Sequence, residues 1–379
     1  MAGIYFHIPF CRQACHYCDF HFSTSLATAA EMMEAMCAEL LQRRDYMNGK
    51  TIQTVYFGGG TPSLIPSSAI ERFVNTVRNE YLLHDEAEIT LEANPDDLSD
   101  SALSEWKRIG INRLSIGIQS FHDEDLSYMH RSHSAGQARD AVQCARRHGF
   151  KDLTVDLIYG TPTMNDERWL ENLAVLEDLD LPHFSAYSLT VEPRTALQQL
   201  VRTRALAAPD DETAASQFNI LMDWARSHGY EHYEISNFAK PGRYSRHNTA
   251  YWKGEHYLGI GPSAHSFNGH ERYWNIRNNP DYLRRMAQSL PLGEGEVLSS
   301  IDQYNEFVLT SLRTQWGIRL ARLQELFGTM FLDHFMLEKS AAEKQGWLKY
   351  DGETVVLTDA GRLYADHIAA DLFMAKGGQ

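Results

Sequence analysis

Three cysteines lie close together and are the residues whose spacing most directly implies chemistry. Cys11, Cys15 and Cys18 are spaced C-x3-C-x2-C in the stretch CRQACHYCDF, and only two other cysteines occur in the chain. Thiolates this close in one loop can converge on a single metal centre, and cysteines close in sequence commonly hold iron–sulfur clusters. Three cysteines without a fourth predict a 4Fe-4S cluster with one iron open to a non-protein ligand.

A structural zinc site is the alternative that these residues leave open. Such a site normally has four protein ligands, and His16 or His21 could supply the fourth. A disulfide is disfavoured because the number of cysteines is odd and the composition is not that of a secreted disulfide scaffold. Cys37 and Cys144 each lie on an apolar or alanine-rich helical stripe and are interpreted as core residues.

A second candidate is the glycine run in YFGGGTP (56–62), where Gly58, Gly59 and Gly60 precede Thr61. Glycine tolerates positive φ and lets the backbone approach a ligand closely. The run follows a predicted strand and therefore suits a ligand-binding turn. A tight turn without any ligand is the alternative explanation.

The elements that must position these residues alternate between strand and helix patterns up to about residue 190. Six strand patterns stand out: GIYFHI, TVYFGG, EITLEA, RLSIGIQ, LTVDLIYG and HFSAYSL. Strands that alternate with helices predict a parallel sheet built from βαβ units. Six units are too few for a closed barrel of eight, so we predict an α/β fold with a partial (β/α)6 TIM-like barrel.

Five of these strands have one polar face, although a buried parallel strand is usually apolar on both. Alternate residues point to opposite sides of a strand, which places Tyr5 opposite Ile4 and Gln119 opposite Ile118. Since helices cover the outer face of such a sheet, the polar residues are predicted to line an inner cavity for a polar ligand. A solvated face is the alternative.

The remaining chain divides into two further predicted segments after a first domain at residues 1–200. Residues 201–295 contain a helix and a stretch rich in Gly, His, Tyr and Asn, interpreted as functional loops on a barrel extension. Residues 296–379 show three helices, a hairpin with an Asp-Gly type I′ turn and a final helix, typical of a small α+β winged-helix-like domain. Residues 302–379 contain 11 Asp/Glu and 8 Lys/Arg, a net charge of −3, so packing or partner binding is expected rather than DNA binding.

The overall charge of the chain narrows the classes of partner. A net charge of −15 argues against broad binding to nucleic acid or anionic lipid. No apolar run is long enough to span a membrane, and the first residues lack the pattern of a signal peptide. A cytoplasmic location is therefore expected.

The cysteine spacing after a first strand resembles the signature of the radical S-adenosylmethionine (SAM) superfamily. That resemblance implies a 4Fe-4S cluster on Cys11, Cys15 and Cys18, with SAM bound to the open iron. It also implies that the backbone of the GGGTP run (58–62) contacts the methionine amino group of SAM. Five further residues match SAM-contacting positions of the coproporphyrinogen-dehydrogenase branch, namely Tyr5, Glu92, Gln119, Arg131 and Asp156.

Two features relate the chain to one branch of that superfamily, the HemW-type heme chaperones. HNTAYW (247–252) matches their HNxxYW motif, and Phe20 stands where the oxygen-independent coproporphyrinogen III dehydrogenases have a further cysteine. The resemblance implies that His247 ligates heme iron and that Tyr251 and Trp252 stack on the porphyrin. Phe20 is included among the predicted cofactor contacts. His256 and His265 are competing ligand candidates.

The function implied is heme delivery to apo-proteins such as respiratory cytochromes, without coproporphyrinogen oxidase activity and with no assigned catalytic residue. The implied partners are heme, the recipient apo-proteins and a flavodoxin-like or ferredoxin-like electron donor. A membrane-bound recipient and a homodimer are compatible with it, and nucleic acid is not a partner. Two alternatives stay open: a radical SAM enzyme that decarboxylates coproporphyrinogen III or modifies another porphyrin, and a non-radical protein with structural zinc.

Overall fold

The computed structural model describes residues 2–375 and contains one large sheet of twelve strands. Strands β1 to β12 are, in chain order, Ala2–Ile8, Ile52–Gly59, Leu83–Ala93, Arg113–Gln119, Asp152–Tyr159, His183–Ser188, Glu231–Glu234, Asn237–Ala239, His256–Ile260, His265–Phe267, Glu271–Asn275 and Gly293–Val297. Their order across the sheet is β12-β11-β10-β9-β1-β2-β3-β4-β5-β6-β8-β7.

Ten helices accompany this sheet in the described part of the chain. Helices α1 to α10 are Ala29–Gln42, Ser67–Glu80, Asp100–Ile109, Asp123–Tyr128, Ala135–Arg147, Asp166–Asp178, Ala196–Arg202, Asp211–Ser227, Arg246–Trp252 and Asn279–Ala287. Among residues 2–375, no helix combines the length and the apolar composition needed to cross a membrane.

Strands β1 to β6 run parallel in sequence order, as the alternating pattern predicts. The apolar face of these strands is buried against the helices, with Ile4, Phe6, Val55 and Phe57 at most 1% exposed. The sheet ends at β7 and β12 without pairing them to each other. The α/β class and the partial barrel are therefore confirmed.

The segment predicted as loops, residues 230–267, contains four strands of this sheet, β7 to β10. Strands β7 and β8 continue the sheet antiparallel beyond β6, and β9 pairs parallel with β1 on the other side. The loop prediction for this segment was wrong because its strands have only three to five residues, too few to show a period in the sequence.

The HNTAYW segment is likewise a helix, α9, and not a loop. Ser245 begins it, because the Ser245 hydroxyl oxygen accepts the backbone N–H of Asn248 at 3.3 Å and so satisfies one free donor of the first turn.

The last part of the chain forms a small α+β unit with its own core, as predicted. It consists of α11 (Ser300–Leu312), β13 (Ile318–Arg319), α12 (Leu320–Phe327), α13 (Thr329–Lys344), β14 (Leu348–Tyr350), β15 (Thr354–Leu357), α14 (Asp359–Arg362) and α15 (Ala365–Asp371), with sheet order β13-β15-β14. The predicted final helix is thus two short helices. The domain boundaries at residues 200 and 295 stay predictions.

The hairpin between β14 and β15 does not have the predicted type I′ turn, which requires positive φ at both central residues. Only Gly352 has positive φ, at 100°. The carboxylate of Asp351 instead accepts the backbone N–H groups of Glu353 and Thr354 at 2.9 and 2.8 Å. Because Tyr350 pairs with Val355 and the Asp351 N–H donates to the Thr354 carbonyl oxygen, the central residues of the turn are Gly352 and Glu353. Positive φ at the first central residue alone, Gly352, suits a type II′ turn.

Candidate functional site

A cavity of about 1350 Å³ lies on the polar face of the sheet. Its wall includes side chains of β1, β2 and β3, the loop that carries the cysteines, α9, and helices α11 and α12. Single ligand pockets usually measure about 300–1,000 Å³, so this cavity has room for more than one ligand. The predicted inner polar cavity is therefore present, lined from β1 to β3 by Tyr5, His7, Thr54, Tyr56 and Glu92.

The cysteine loop (residues 9–23) is fixed at both ends and in its middle. The Cys11 N–H donates to the Ser23 carbonyl oxygen at 3.0 Å, closing the loop on itself. The His16 N–H donates to the Met129 carbonyl at 3.1 Å, and the His16 carbonyl accepts the Leu197 N–H at 2.7 Å. These backbone hydrogen bonds fix the loop, and with it the three cysteines, without the help of a bound metal.

The three thiols are partly exposed and none forms a disulfide. Burial raises the pKa of Cys11 to about 11 and the pKa of Cys18 to about 12, so these two thiols are protonated at neutral pH. Metal binding would displace their protons, which couples cluster assembly to pH. The Arg131 guanidinium donates to the Cys15 sulfur at 3.2 Å and supplies positive charge next to the developing thiolates.

The loop fits an iron–sulfur cluster better than a single zinc ion. Sulfurs around one zinc, each about 2.3 Å from the metal, lie roughly 3.8 Å apart. In residues 2–375, the sulfurs of Cys11, Cys15 and Cys18 do not all lie within 4.8 Å of one another. The Nε of Arg131 is buried beside Cys15 without a hydrogen-bond partner in residues 2–375. This unpaired donor suits an additional acceptor such as a carboxylate.

One close group of potential metal ligands lies elsewhere, at the start of α3 and the end of α5. It consists of Asp100, Cys144 and His148, in which the Cys144 thiol donates to the exposed Asp100 carboxylate at 3.3 Å. Cys144 and Cys37 are both buried, as expected for core residues.

The glycine run lies directly against the cysteine loop. The Thr61 N–H donates to the Phe10 carbonyl at 2.7 Å, and a Cβ on Gly60 would lie 2.4 Å from that same oxygen. Gly59 has a φ of +100°, and a Cβ there would lie 2.6 Å from His7. The run therefore needs glycine for close packing between two loops, with its backbone at the edge of the cysteine site.

Three of the predicted SAM contacts are polar residues of the central strands: Gln119 is buried, and Glu92 and Asp156 are half-buried. Burial raises the pKa of Glu92 to about 7, while the Tyr56 hydroxyl donates to its carboxylate at 2.7 Å. Gln119 has a φ of +69°, a left-handed conformation that costs a non-glycine residue about 1–3 kcal/mol and is concentrated at functional sites. Asp156 accepts the Ser115 hydroxyl at 3.1 Å, and burial raises the pKa of Asp156.

His247 stands in the cavity wall at the start of α9. Its Nδ1 lies 2.9 Å from the Thr54 hydroxyl, and its ring stacks on Tyr56 with 4.9 Å between centroids. The surrounding protein lowers the pKa of His247 to about 4, so the ring is neutral at physiological pH. Its Nε2 has no hydrogen-bond partner among the described residues, which leaves a nitrogen suited to binding heme iron.

Sequence reasoning missed three residues that hold His247. Glu88 accepts the backbone N–H groups of His247 and Arg246, both at 3.0 Å, and Thr54 bonds its ring. A Cβ on Gly3 would lie 3.3 Å from that ring and 2.7 Å from the Thr54 hydroxyl. Gly3, Thr54 and Glu88 all lie on the polar faces of their strands. The alternation of polar and apolar residues that pointed to Glu92 could therefore have pointed to them as well.

The aromatic candidates also face the cavity. Phe20 is 65% exposed and Tyr251 is 48% exposed, so both offer free ring faces to a flat apolar ligand. Trp252 is more covered, since it packs edge-on against Tyr251 with 5.1 Å between ring centroids. The competing ligand candidates, His256 and His265, line the same cavity.

The structure thus groups the predicted site residues in two neighbouring places. Tyr5, Phe20, Glu92, His247, Tyr251 and Trp252 line the cavity, together with the unassigned Tyr56. The cysteines, Thr61 and Arg131 meet at the cysteine loop, because Thr61 hydrogen-bonds Cys11 and Arg131 hydrogen-bonds Cys15. Gln119 and Asp156 lie outside the cavity lining.

Comparison with known families gives two matches. Residues 5–176 match the Radical SAM superfamily, and residues 298–364 match the HemN C-terminal domain. Together they cover the cysteine loop, strands β1 to β5 and most of the small α+β unit.

Comparison with curated proteins gives relatives over nearly the whole chain. The heme chaperone HemW of Mycobacterium tuberculosis is 35% identical over 98% of this chain and 94% of that protein. The heme chaperone HemW of Bacillus subtilis is 32% identical over 97% of this chain and 98% of that protein.

Among solved structures, coproporphyrinogen III oxidase (HemN) from Escherichia coli, a radical SAM enzyme, aligns with a TM-score of 0.86. The alignment covers 98% of this chain and 90% of that chain at 22% sequence identity. At this identity the likeness establishes the fold.

Proposed function

This chain belongs to the HemW family of radical SAM proteins, and on that premise we propose that it is a heme chaperone. In this proposal heme is the cargo, bound in the cavity of about 1350 Å³ and passed to apo-proteins such as respiratory cytochromes. A 4Fe-4S cluster and SAM occupy the neighbouring radical SAM site.

The observation that carries the proposal is the state of His247. Its imidazole is neutral, its Nδ1 is engaged by Thr54, and its Nε2 has no partner in the described chain. The proposal requires the tautomer in which the Nδ1–H of His247 donates to the Thr54 hydroxyl, because the lone pair then resides on Nε2 and can bind heme iron. Phe20 and Tyr251 supply exposed aromatic faces for the porphyrin in the same cavity.

The cysteine loop and the polar strand faces support the cofactor part of the proposal. Cys11, Cys15 and Cys18 would hold the cluster, and Arg131 would place its buried guanidinium beside it. Glu92 and Asp156 would accept hydrogen bonds from SAM, with Tyr5, Gln119 and the glycine run as further contacts. When bound, a reduced 4Fe-4S cluster can supply one electron to SAM, and no residue of this chain is assigned a catalytic role.

We further propose a reducing, cytoplasmic setting, because all five cysteines are free thiols and such thiols persist where glutathione and thioredoxin act. A flavodoxin-like or ferredoxin-like protein would reduce the cluster. The recipient can be membrane-bound, and self-association as a homodimer is part of the same proposal.

The test is a heme titration of the anaerobically reconstituted chain, followed by its absorbance spectrum. We expect stoichiometric heme uptake, and at least about tenfold weaker binding (~1.4 kcal/mol) in the His247→Ala variant with its iron–sulfur content unchanged. His265→Ala is the matched control, because His265 lines the same cavity. If His265→Ala weakened heme binding about tenfold and His247→Ala left it unchanged, His265 would be the iron ligand instead of His247.

A parallel incubation with coproporphyrinogen III, SAM and a reductant separates the chaperone from the enzyme. No decarboxylated product is expected, since Phe20 occupies the position of the further cysteine. Stoichiometric conversion of coproporphyrinogen would contradict the chaperone proposal.

A further inference from the structure

Tyr56 touches the predicted heme ligand and a predicted SAM contact at the same time. Its ring stacks on His247 with 4.9 Å between centroids and 27° between planes. Its hydroxyl donates to the carboxylate of Glu92 at 2.7 Å. One side chain on β2 therefore joins His247 to Glu92.

Neighbouring glycines show that this arrangement is tightly packed. A Cβ on Gly58 would lie 2.8 Å from Cε1 of Tyr56 and 2.9 Å from Oε1 of Glu92. These two side chains occupy the space above Gly58, and the His247 ring occupies the space above Gly3. A displacement of Glu92 therefore disturbs Tyr56, because a hydrogen bond of 2.7 Å joins the two side chains.

The position of Tyr56 depends on the position of the Glu92 carboxylate. Among the described residues, the one side chain that donates a hydrogen bond to this carboxylate is Tyr56, through its hydroxyl. Tyr5 also stacks on Tyr56, with 6.0 Å between centroids, and so restricts the ring from the β1 side. A ligand that bonds Glu92 and orders its carboxylate would thereby order the Tyr56 ring against His247.

We propose that Tyr56 is a positioning residue that couples SAM binding at Glu92 to heme binding at His247. This inference rests on the proposed function. SAM holds the Glu92 carboxylate in place, Tyr56 keeps its hydrogen bond to it, and the stacked His247 ring is held with Nε2 toward the cavity. Linkage requires that each ligand then raise the affinity of the other by the same factor.

The experiment is a heme titration of cluster-loaded protein with and without saturating SAM. In the unmodified chain we expect SAM to strengthen heme binding by about fivefold or more, the lower end of typical coupling between sites. Tyr56→Phe keeps the stacked ring and removes the hydroxyl. This variant should bind both ligands, with a ratio of heme affinities close to one.

The matched control is Tyr230→Phe, which also removes one buried tyrosine hydrogen bond, to the Leu181 carbonyl at 2.7 Å. Its SAM dependence should equal that of the unmodified chain. Equilibrium dialysis of SAM with and without heme measures the factor by which heme raises the affinity for SAM, which should equal the factor by which SAM raises the affinity for heme. A general loss of stability would not change this ratio.

The outcomes distinguish this inference from the proposed function. Full SAM dependence in Tyr56→Phe, or equal heme affinity with and without SAM in the unmodified chain, would overturn the coupling while leaving the chaperone intact. Failure of the unmodified chain to bind heme would overturn both.

Discussion

The guanidinium of Arg313 lies 5.2 Å from the centre of the Trp252 ring, so the small α+β unit covers the end of α9. Arg313 also pairs with Glu234 at 3.1 Å and with Asp366 at 2.7 Å. A single side chain thus joins the edge of the main sheet, the helix that carries His247 and the last helix.

Replacing Arg313 with Ala should speed heme release by several-fold. The change removes the ion pairs with Glu234 and Asp366 and the cation–π contact with Trp252. The buried pair with Glu234 and the cation–π contact are each expected to contribute about 0.5–3 kcal/mol. The measurement is the rate of heme transfer to excess apomyoglobin. Arg108→Ala is the control, since the Arg108–Glu71 pair is largely solvent-exposed. Identical release rates for both variants and the unmodified chain would contradict this prediction.

Replacing Glu88 with Ala should destabilise α9 and weaken heme binding. The carboxylate accepts two backbone N–H groups at the start of the helix, and bonds to a charged group contribute about 1.5–3 kcal/mol each. Denaturant unfolding and heme titration measure the two effects, and Glu88→Gln should recover part of both. Unchanged heme affinity in an Ala variant with lowered stability would show that α9 does not need this contact for binding.

Replacing any one of Cys11, Cys15 or Cys18 with Ser should abolish the iron–sulfur cluster, because three ligands are the fewest that can hold it with one iron open. Iron and acid-labile sulfide per chain, together with the visible absorbance, measure the loss. Cys37→Ser is the control, as Cys37 is buried on α1 and contacts Thr76 at 3.6 Å. A normal cluster in all three loop variants would refute the assignment.

SAM affinity should fall as the pH decreases through about 7. Burial raises the pKa of Glu92 to about 7, so the carboxylate is protonated below that pH and ionised above it. Hydroxyl donors of SAM bind the ionised form better, and below the pKa the affinity should drop by up to about tenfold per pH unit. Equilibrium dialysis between pH 6 and 8 measures the slope.

The control for the pH dependence is Glu92→Gln, which should bind SAM more weakly but without the slope attributable to Glu92. Any protonation of SAM itself affects the unmodified chain and Glu92→Gln equally, so the difference between their two slopes reports on Glu92. An equal slope in the two proteins would assign the pH dependence to another group.

The sequence predicted the parallel strands β1 to β6 because each is six to eleven residues long, enough for the alternation to be visible. Alternation also placed Tyr5 and Glu92 on the face that lines the cavity. Strands β7 to β10 were missed because three to five residues carry no measurable period. The type I′ turn was wrong because its central residues are Gly352 and Glu353, and of these two only Gly352 has positive φ.

The contacts of His247 were out of reach for a different reason. Thr54 and Glu88 are 193 and 159 residues away in sequence, and pairing across that distance is decided by which strands become neighbours. The motif around His247 suggested a ligand, whereas its tautomer and its buried supports depend on the folded sheet.

The position of β1 between β2 and β9 has a consequence for biosynthesis. The second edge of β1 stays uncovered until residues 256–260 have left the ribosome. At about 5–20 residues per second this takes roughly 10–50 s. During that interval the cysteine loop follows a strand with one open edge, a state prone to mispairing with other chains. Completion of the sheet next to the cysteine loop must therefore wait for most of the chain, and slow translation would prolong the exposure of the free thiols of that loop to oxidants.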